Sequence, residues 1–201
     1  NHQFNELCSL LDINFKRKIK IKRAVFVKKL YVSNPNVFIE FNANAVRHFR
    51  HLLIEKCNAS YIKATQNVYY NRQRNRFILN FNELKSQLRK ELTNVDFVEP
   101  NTKNMAEQVV FWRKTKFVML VHGSIFSNFI FMHPNTAYLE FSIRACRNAA
   151  QKLCQSFGIH IYQMMFRNHC LNRSMYADIP ELILLVKKIL DMLEKQDLSM
   201  Y

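Results

Sequence analysis

The stretch FVMLVHGSIFSNFIFMHPNTAYLEF (117–141) decides the fold. Its first five residues are all apolar, which is typical of a strand that is covered on both faces. His122 and Gly123 follow, then the short apolar run SIFSNFIFM, and a second strand pattern begins after Pro134. The chain has only two glycines, and one of them stands where the first strand ends. This order predicts a strand–helix–strand unit with parallel strands.

Strand and helix patterns alternate about five times along the chain. The predicted strands are NVYY, NVDFVEP, KFVMLV, NTAYLEF and IHIYQMMF. The predicted helices that connect or follow them are NFNELKSQLRKEL, NMAEQVVFWRKT, SIFSNFIFM, RACRNAAQKLCQSFG and DIPELILLVKKILDMLEKQ. Parallel strands need crossover helices, and an apolar central strand needs helices on both faces of the sheet. The sequence therefore predicts an α/β fold with an open, doubly wound, mostly parallel Rossmann-like sheet.

Two asparagines mark predicted helix starts. A helical pattern begins near residue 42, with Asn42 or Asn44 as its cap. Asn80 precedes the next helix, and Glu83 stands three residues later, as in a capping box. We expect residues 43–201 to form the domain.

The first 42 residues carry weaker patterns. IKIKRAVFV (19–27) predicts an exposed or edge strand. The chain does not begin with Met, so we expect a fragment or a processed chain, in which residues 1–42 are an N-terminal segment left from an inter-domain region. No apolar stretch reaches the roughly 18 residues of a membrane span.

The chain is strongly basic, with a formal net charge of +15. Residues 16–29 hold eight basic side chains and no acidic one, and the remaining excess is scattered. The run is interrupted by a single aromatic residue, Phe26, which fits a strand core better than a nucleic-acid surface. A solvated basic edge is the simplest interpretation, a contact with polyanions or an anionic membrane is a second, and a nucleic-acid-binding protein is the least favoured.

The five cysteines show neither a CxxC pair nor zinc spacing. An odd number leaves at least one of them unpaired within this chain. We therefore expect buried free thiols for most of them.

The stretch that decides the fold also predicts a binding site. In open α/β sheets, ligands bind outside the carboxyl ends of the strands. The strand at 117–121 brings His122 and Gly123 to that edge, and the helix that follows points its unpaired N–H groups at the same place. Small polar side chains add further donors: Ser124, Ser127 and Asn128. This is a phosphate or pyrophosphate cradle, unless the glycine serves only a turn and Asn128 is a structural amide.

A second cluster follows the NVYY strand. Arg72, Arg74 and Arg76 alternate along NRQRNRF. Arginine suits two-pronged contacts with phosphate, although three arginines on an exposed loop are also common.

These motifs carry a resemblance to a known family. Over about residues 43–195, the chain resembles the family-61 glycosyltransferases. The resemblance lies in three motifs in this order: NRQRNRFILNFNEL, VDFVEPNTKNMAEQ and HGSIFSNFIFMHPNTAYLEF. That family includes transferases that add N-acetylglucosamine to EGF domains and to O-mannose, and plant xylan arabinosyl- and xylosyltransferases.

The resemblance implies roles for particular residues. Arg72 would face the donor phosphate, Arg76 and Asn80 would hold the turn into the next helix, and His122 would be a possible catalytic residue. Donor and phosphate contacts are implied for Arg72, Arg76, His122, Gly123, Ser124, Ser127 and Asn128. The ribose and base side is implied for Glu140, Gln108 and Glu107.

The implied reaction is an inverting transfer from a UDP-sugar to a hydroxyl of a glycan or a protein. No D-x-D motif occurs in the sequence, and we expect neither a metal nor another cofactor. The resemblance implies one half of a GT-B enzyme, the C-terminal nucleotide-sugar-binding domain. The other half would supply the acceptor site, and eukaryotic members work in the lumen of the endoplasmic reticulum or Golgi.

The chain departs from the family pattern at several positions. Ile125 replaces a glycine that follows His-Gly, Asn71 replaces a serine before the arginine, and one acidic residue near Glu83 is missing. An alternative is therefore a catalytically degenerate relative that only binds a nucleotide or a glycan.

Overall fold

The computed structural model describes residues 2–12, 43–142, 149–166 and 174–198. The α-helices are α1 (His2–Leu10), α2 (Ala43–Lys56), α3 (Phe81–Glu91), α4 (Met105–Lys114), α5 (Ala149–Ser156) and α6 (Ile179–Leu198). The strands are β1 (Gln66–Tyr70), β2 (Phe97–Val98), β3 (Thr115–Val121), β4 (Ala137–Ser142) and β5 (His160–Met165). A 3₁₀ helix, Ser124–Phe131, connects β3 to β4.

The five described strands form one sheet in the order β2-β1-β3-β4-β5, and every neighbouring pair is parallel. This confirms the predicted α/β class. The connection from β1 to β2 runs toward one end of the sheet, and the connections from β3 to β4 and β5 run toward the other. The order therefore reverses between β1 and β3, and the loops that follow these two strands diverge and leave a crevice.

Helices cover both faces of the sheet. On one face α3 and α6 pack over Tyr69, Phe117, Met119, Leu139 and Phe141. On the other face α2, α4, the 3₁₀ helix and α5 pack over Val68, Val118, Leu120 and Tyr138. The central strand β3 alternates between these two cores, which is why its sequence is apolar throughout.

The predicted capping box at Asn80 is wrong. Asn80 precedes α3, but its side chain makes no capping bond. Its amide donates to the carbonyl of Ala177 (3.0 Å) and accepts from the N–H of Ala177 (2.9 Å), so it joins α3 to the start of α6. Helix α4 has the capping arrangement instead. Asn104 Oδ1 accepts from the N–H of Glu107 (2.8 Å), and Glu107 Oε2 accepts from the N–H of Lys103 (2.8 Å).

Other predicted elements differ in extent. NVDFVEP pairs with the sheet only at Phe97–Val98. SIFSNFIFM adopts the tighter 3₁₀ form, in which the N–H of Phe126 bonds to the carbonyl of Gly123 at 3.3 Å. Gly158 has a positive φ of 67° just after α5, as expected of a residue that ends a helix.

Several predictions fall on residues outside the described ranges. They are the edge strand at 19–27, the basic run at 16–29, the first part of the RACRNAAQKLCQSFG helix, Asn42, Cys146 and Cys170.

In the described part, Cys8, Cys57 and Cys154 are free thiols. Burial and, to a smaller extent, the nearby charge of Glu140 raise the pKa of Cys154 to about 12.

Helix α1 packs against α4. Glu6 Oε1 accepts from the N–H of Met105 at 2.7 Å, and Leu7 and Leu10 lie against the core of that face.

The predicted domain boundary at residue 42 stays a prediction. Within the described ranges, no helix has both the length and the apolar character needed to cross a membrane.

Candidate functional site

A cavity of about 280 Å³ lies in the crevice between β1 and β3. The end of β1 and the loop after it contribute Tyr70, Arg72, Gln73, Arg74 and Asn75. The end of β3 and the start of the 3₁₀ helix contribute Val121, Gly123, Ser124 and Ile125. Ligands of doubly wound sheets bind at this point, outside the carboxyl ends of the two strands where the order reverses. Three of the predicted phosphate contacts therefore line this cavity: Arg72, Gly123 and Ser124.

The side chain of Arg72 lies directly against the backbone of His122 and Gly123 at the cavity. Arg72 Nη1 donates to the carbonyl of His122 at 3.0 Å. A Cβ atom on residue 123 would lie only 2.4 Å from that nitrogen. Gly123 has an extended φ of 174°, so the position needs glycine for space and not for its backbone angle. The structure thus brings together two of the predicted phosphate contacts that lie 51 positions apart in sequence.

The loop that carries the arginines is held closed by Asn71. Its amide donates to the carbonyl of Ile78 (3.0 Å) and accepts from the N–H of Ile78 (2.8 Å). Ile78 in turn pairs with Met175 in an isolated parallel bridge. The residues between Asn71 and Ile78 are therefore looped out over the cavity, and Arg76 takes a positive φ of 54° within this loop.

The role of Asn71 was missed at the level of sequence. In the sequence, Asn71 stands out only because the family pattern has serine at this position. An amide can donate and accept toward the two backbone groups of one residue, and that pairing is visible only when Ile78 is known to lie beside it.

Hydrogen bonds hold both the backbone and the ring of His122 in place. Its N–H donates to the carbonyl of Phe141 at 3.0 Å, and its ring Nδ1 lies 2.6 Å from Glu140 Oε1. The ring stacks on Phe126, with 6.1 Å between the ring centroids. About a third of the His122 side chain is exposed, whereas that of Glu140 is fully buried.

Glu140 has three donors for its two oxygens. Besides His122, the hydroxyl of Tyr138 donates to Oε1 (2.7 Å) and Nε2 of Gln163 donates to Oε2 (2.7 Å). Burial by itself would raise the pKa of this carboxyl. The hydrogen bonds from His122, Tyr138 and Gln163 outweigh burial, and the pKa of Glu140 lies below its ordinary value. The carboxylate is therefore ionised inside the fold.

Neither His122 nor Glu140 is among the residues that line the cavity, and the remaining predicted site residues also lie outside its lining as far as the described residues define it. Ser127 and Asn128 lie on the 3₁₀ helix. Glu107 is engaged at the start of α4, where the N–H of Gln108 bonds to the carbonyl of Asn104 at 3.0 Å. Their contacts with a donor, and that of Arg76, stay predictions.

No group of three or more His, Cys, Asp or Glu side chains in the described part of the chain is placed to hold a metal ion. The cations at the cavity are side chains of the protein, Arg72 and Arg74.

Comparison with known proteins identifies the family. Residues 1–139 match the family model described as Glycosyltransferase 61. A search of curated proteins found no match. The matched range includes both loops of the cavity and stops just before Glu140, and it begins upstream of the range over which the motifs show the resemblance. The match covers well over half of the chain, and the chain therefore belongs to glycosyltransferase family 61, a family defined by the transfer of a sugar from a donor to an acceptor.

Proposed function

We propose that this chain binds the sugar-nucleotide donor of an inverting, metal-independent glycosyltransferase. The observation that carries the proposal is the contact between Arg72 and the His122–Gly123 backbone at the reversal point of the sheet. It produces a cavity with Arg72 and Arg74 on one wall and Ser124 on the other, and the missing side chain at Gly123 lets Arg72 lie against this backbone. Such a wall suits a diphosphate, because guanidinium groups and free N–H groups both bind phosphate oxygens.

The proposed reaction is a displacement at the anomeric carbon. The acceptor oxygen forms a bond to that carbon while the bond from the carbon to the diphosphate oxygen breaks, and the diphosphate leaves with the electron pair. The acceptor proton passes to a base, which we assign to the part of the enzyme that binds the acceptor. Negative charge grows on the leaving diphosphate, and fixed positive groups next to it lower the barrier. Arg72, Arg74 and the N–H groups at Ser124 would do this without a metal.

Further residues complete the proposed donor site. Arg76, Ser127 and Asn128 would add phosphate contacts, and Glu107 and Gln108 would lie on the side of the ribose and base. The donor would be a UDP-sugar, and the acceptor a glycan or protein hydroxyl held by a second, GT-B-type half. In a eukaryote the enzyme would work in the lumen of the endoplasmic reticulum or Golgi.

A second candidate function is nucleotide binding without catalysis. Ile125 lines the cavity at the position where the family pattern has glycine, and its side chain narrows the space that a donor sugar would need. Recovery of sugar transfer by an Ile125→Gly variant would favour this alternative for the natural chain. Activity of the natural chain that Ile125→Gly does not increase would exclude it.

Calorimetry with uridine diphosphate tests the proposal directly. The wild-type chain is expected to bind in the presence and in the absence of Mg²⁺. Arg72→Ala should bind at least about tenfold more weakly, because a charge-assisted hydrogen bond contributes roughly 1.5–3 kcal/mol. Arg89→Ala is the matched control, since Arg89 is exposed near the far end of α3.

Three results would count against the proposal. Binding that requires Mg²⁺ would exclude metal independence. Equal affinities of Arg72→Ala and wild type would place the nucleotide elsewhere. No binding by a folded wild-type chain would mean that these residues alone do not form a donor site.

A further inference from the structure

Two N-x-S motifs in the sequence have no role in the proposed donor site. They are Asn58-Ala59-Ser60 and Asn172-Arg173-Ser174. In a secretory lumen, this motif is the acceptor for a glycan on the asparagine. The structure separates the two motifs by the accessibility of their side chains.

The first motif lies in the turn that ends α2. The N–H of Asn58 bonds to the carbonyl of Glu55 at 2.9 Å, and the N–H of Ala59 bonds to the carbonyl of Ile54 at 2.9 Å. Asn58 has a positive φ of 51°. These two bonds and this angle form a Schellman motif, in which asparagine is a known substitute for glycine. The end of the helix therefore fixes the backbone of the turn.

The same turn holds two polar side chains at the surface. Ala59, the middle residue of the motif, is fully buried, and its carbonyl accepts from Nε of Arg113 at 3.4 Å. Asn58 and Ser60, on either side of it, are exposed. Neither of their side chains has a hydrogen-bond partner among the described residues, so the amide and the hydroxyl are both accessible. The positive φ by itself explains an asparagine at 58, but it places no demand on residue 60.

The second motif differs in its hydroxyl residue. Ser174 is only 2% exposed, and its Oγ is buried. The next residue, Met175, pairs with Ile78 in the isolated bridge. Asn172 lies outside the described residues. The hydroxyl that the motif requires is therefore enclosed by the fold at Ser174 and open to solvent at Ser60.

Asn58 lies at the edge of the sheet opposite the donor cavity. Arg113, which binds the Ala59 carbonyl, lies two positions before the start of β3, and the N–H of Thr65, just before β1, bonds to the carbonyl of Lys114 at 2.8 Å. The cavity lies where β1 and β3 end. The seven residues of β3 span roughly 20 Å, so a glycan on Asn58 would leave the cavity open.

We propose that Asn58 is the acceptor of an N-linked glycan when this chain is in the secretory lumen. This inference rests on the lumenal location within the proposed function. The co-substrate is an oligosaccharide that is joined to a lipid through a diphosphate. The amide nitrogen of Asn58 forms a bond to the anomeric carbon while the bond from that carbon to the diphosphate oxygen breaks. The lipid diphosphate leaves with the electron pair, and the amide nitrogen loses one proton to a base of the enzyme that performs the transfer.

Enzymatic release of N-glycans tests this modification. The chain is produced in eukaryotic cells behind a cleavable secretion signal, and its electrophoretic mobility is compared before and after treatment with an enzyme that removes N-glycans. We expect wild type to carry one glycan. Its removal converts the modified asparagine into aspartate, which mass spectrometry should locate at position 58. The same chain without the signal should not change in mobility.

Variants of the motif separate the glycan from the turn. Asn58→Gly removes the acceptor but keeps a residue that is suited to the positive φ, and Ser60→Ala removes only the hydroxyl. Both should migrate as the glycan-free form before treatment, whereas Ser60→Thr should retain the glycan. Asn172→Gln, the loss of the acceptor in the second motif, is the control and should leave the glycan in place.

Two results would overturn the inference. Wild type whose signal has been cleaved, but which carries no glycan, would show that Asn58 is not an acceptor. A glycan that persists in Asn58→Gly or Ser60→Ala, or that disappears in Asn172→Gln, would place the modification at another residue. Whole-cell extracts are assayed together with the medium, so a variant that folds poorly is still scored.

Titration with uridine diphosphate separates this inference from the proposed donor site. The glycosylated and the glycan-free chain should bind it with equal affinity, because the two sites lie at opposite edges of the sheet. Weaker binding by the glycosylated chain would contradict that separation. If Asn58 carries a glycan and uridine diphosphate is not bound, the donor site fails and this inference stands. If uridine diphosphate is bound and the chain carries no glycan, only this inference fails.

Discussion

At the scale of single residues, the two glycines of the chain serve different purposes. Gly123 is extended and leaves room for Arg72, whereas Gly158 has a positive φ and lies against Pro134. The same substitution should therefore affect binding at one position and stability at the other.

Gly123→Ala is expected to fold normally and to bind uridine diphosphate about tenfold more weakly. The new Cβ would lie only 2.4 Å from Arg72 Nη1, and the flexible arginine would move away from the His122 carbonyl. Calorimetry measures the affinity, and a urea titration checks the stability. Unchanged affinity would show that the position of Arg72 over the glycine does not matter for binding.

Gly158→Ala is the counterpart. Alanine is strained at a φ of 67°, and its Cβ would meet the Cβ of Pro134 at 3.2 Å. We expect the free energy of unfolding to fall by about 1–2 kcal/mol, with little change in the affinity for uridine diphosphate. A variant as stable as wild type in urea would contradict the strain argument.

At the scale of elements, hydrogen bonds from asparagine side chains decide how the loops at the cavity are held. Asn71 closes the arginine loop on Ile78, and Asn80 joins the start of α3 to Ala177. Asn104 caps α4. Only the last of these is a contact within one element.

Asn71→Ala should remove both bonds to Ile78 and leave the loop open. We expect a loss of about 1–3 kcal/mol in the free energy of unfolding and weaker binding of uridine diphosphate, because Arg72 follows Asn71 directly. Asn82→Ala, at an exposed position of α3, is the control, and it should leave both the stability and the affinity nearly unchanged. Equal affinities of Asn71→Ala and wild type for uridine diphosphate would show that the closed form of this loop is not needed for binding.

At the scale of the whole molecule, two titrating groups predict sensitivity to acid. His133 is half-buried near Arg113 and Arg50. Burial and the two arginine charges lower its pKa, and the hydrogen bond to the Ile62 carbonyl opposes them without cancelling them. An unfolded histidine takes up its proton near pH 6.5, whereas the folded one resists, so stability falls as the pH drops below that value. Glu140 adds a second loss below about pH 4.5, where its unfolded form becomes protonated.

Urea titrations between about pH 8 and pH 4 measure this dependence. His133→Gln keeps a donor for the Ile62 carbonyl and does not titrate, so it should remove the decline that begins near pH 6.5 and retain the later one. A decline of the same size in His133→Gln and wild type would show that other groups cause it.

Much of the architecture was predictable because burial leaves its pattern in the sequence. The apolar run at 117–121, the glycine at its end and the alternation of strands and helices predicted the parallel sheet, and they pointed to the sheet edge at which the cavity lies. The contact between Arg72 and the His122 carbonyl was not predicted, and it became visible only in the structure. The order of the strands followed from none of these patterns, because each pattern reports how a segment is buried and not which strand lies beside it.

The sequence by itself determined the fold class and the family, and it pointed to the sheet edge at which the cavity lies. Only the tertiary structure decided how individual polar side chains are used. Asn80 is bound by Ala177 instead of capping its own helix, and Glu140 is directed inward to His122 instead of outward. The physical reason is that a hydrogen bond depends on which group lies within about 3 Å, and for these side chains that group is distant in sequence. Which face of a helix or strand is buried, by contrast, follows from the spacing of apolar residues within that segment, and the sequence shows this spacing directly.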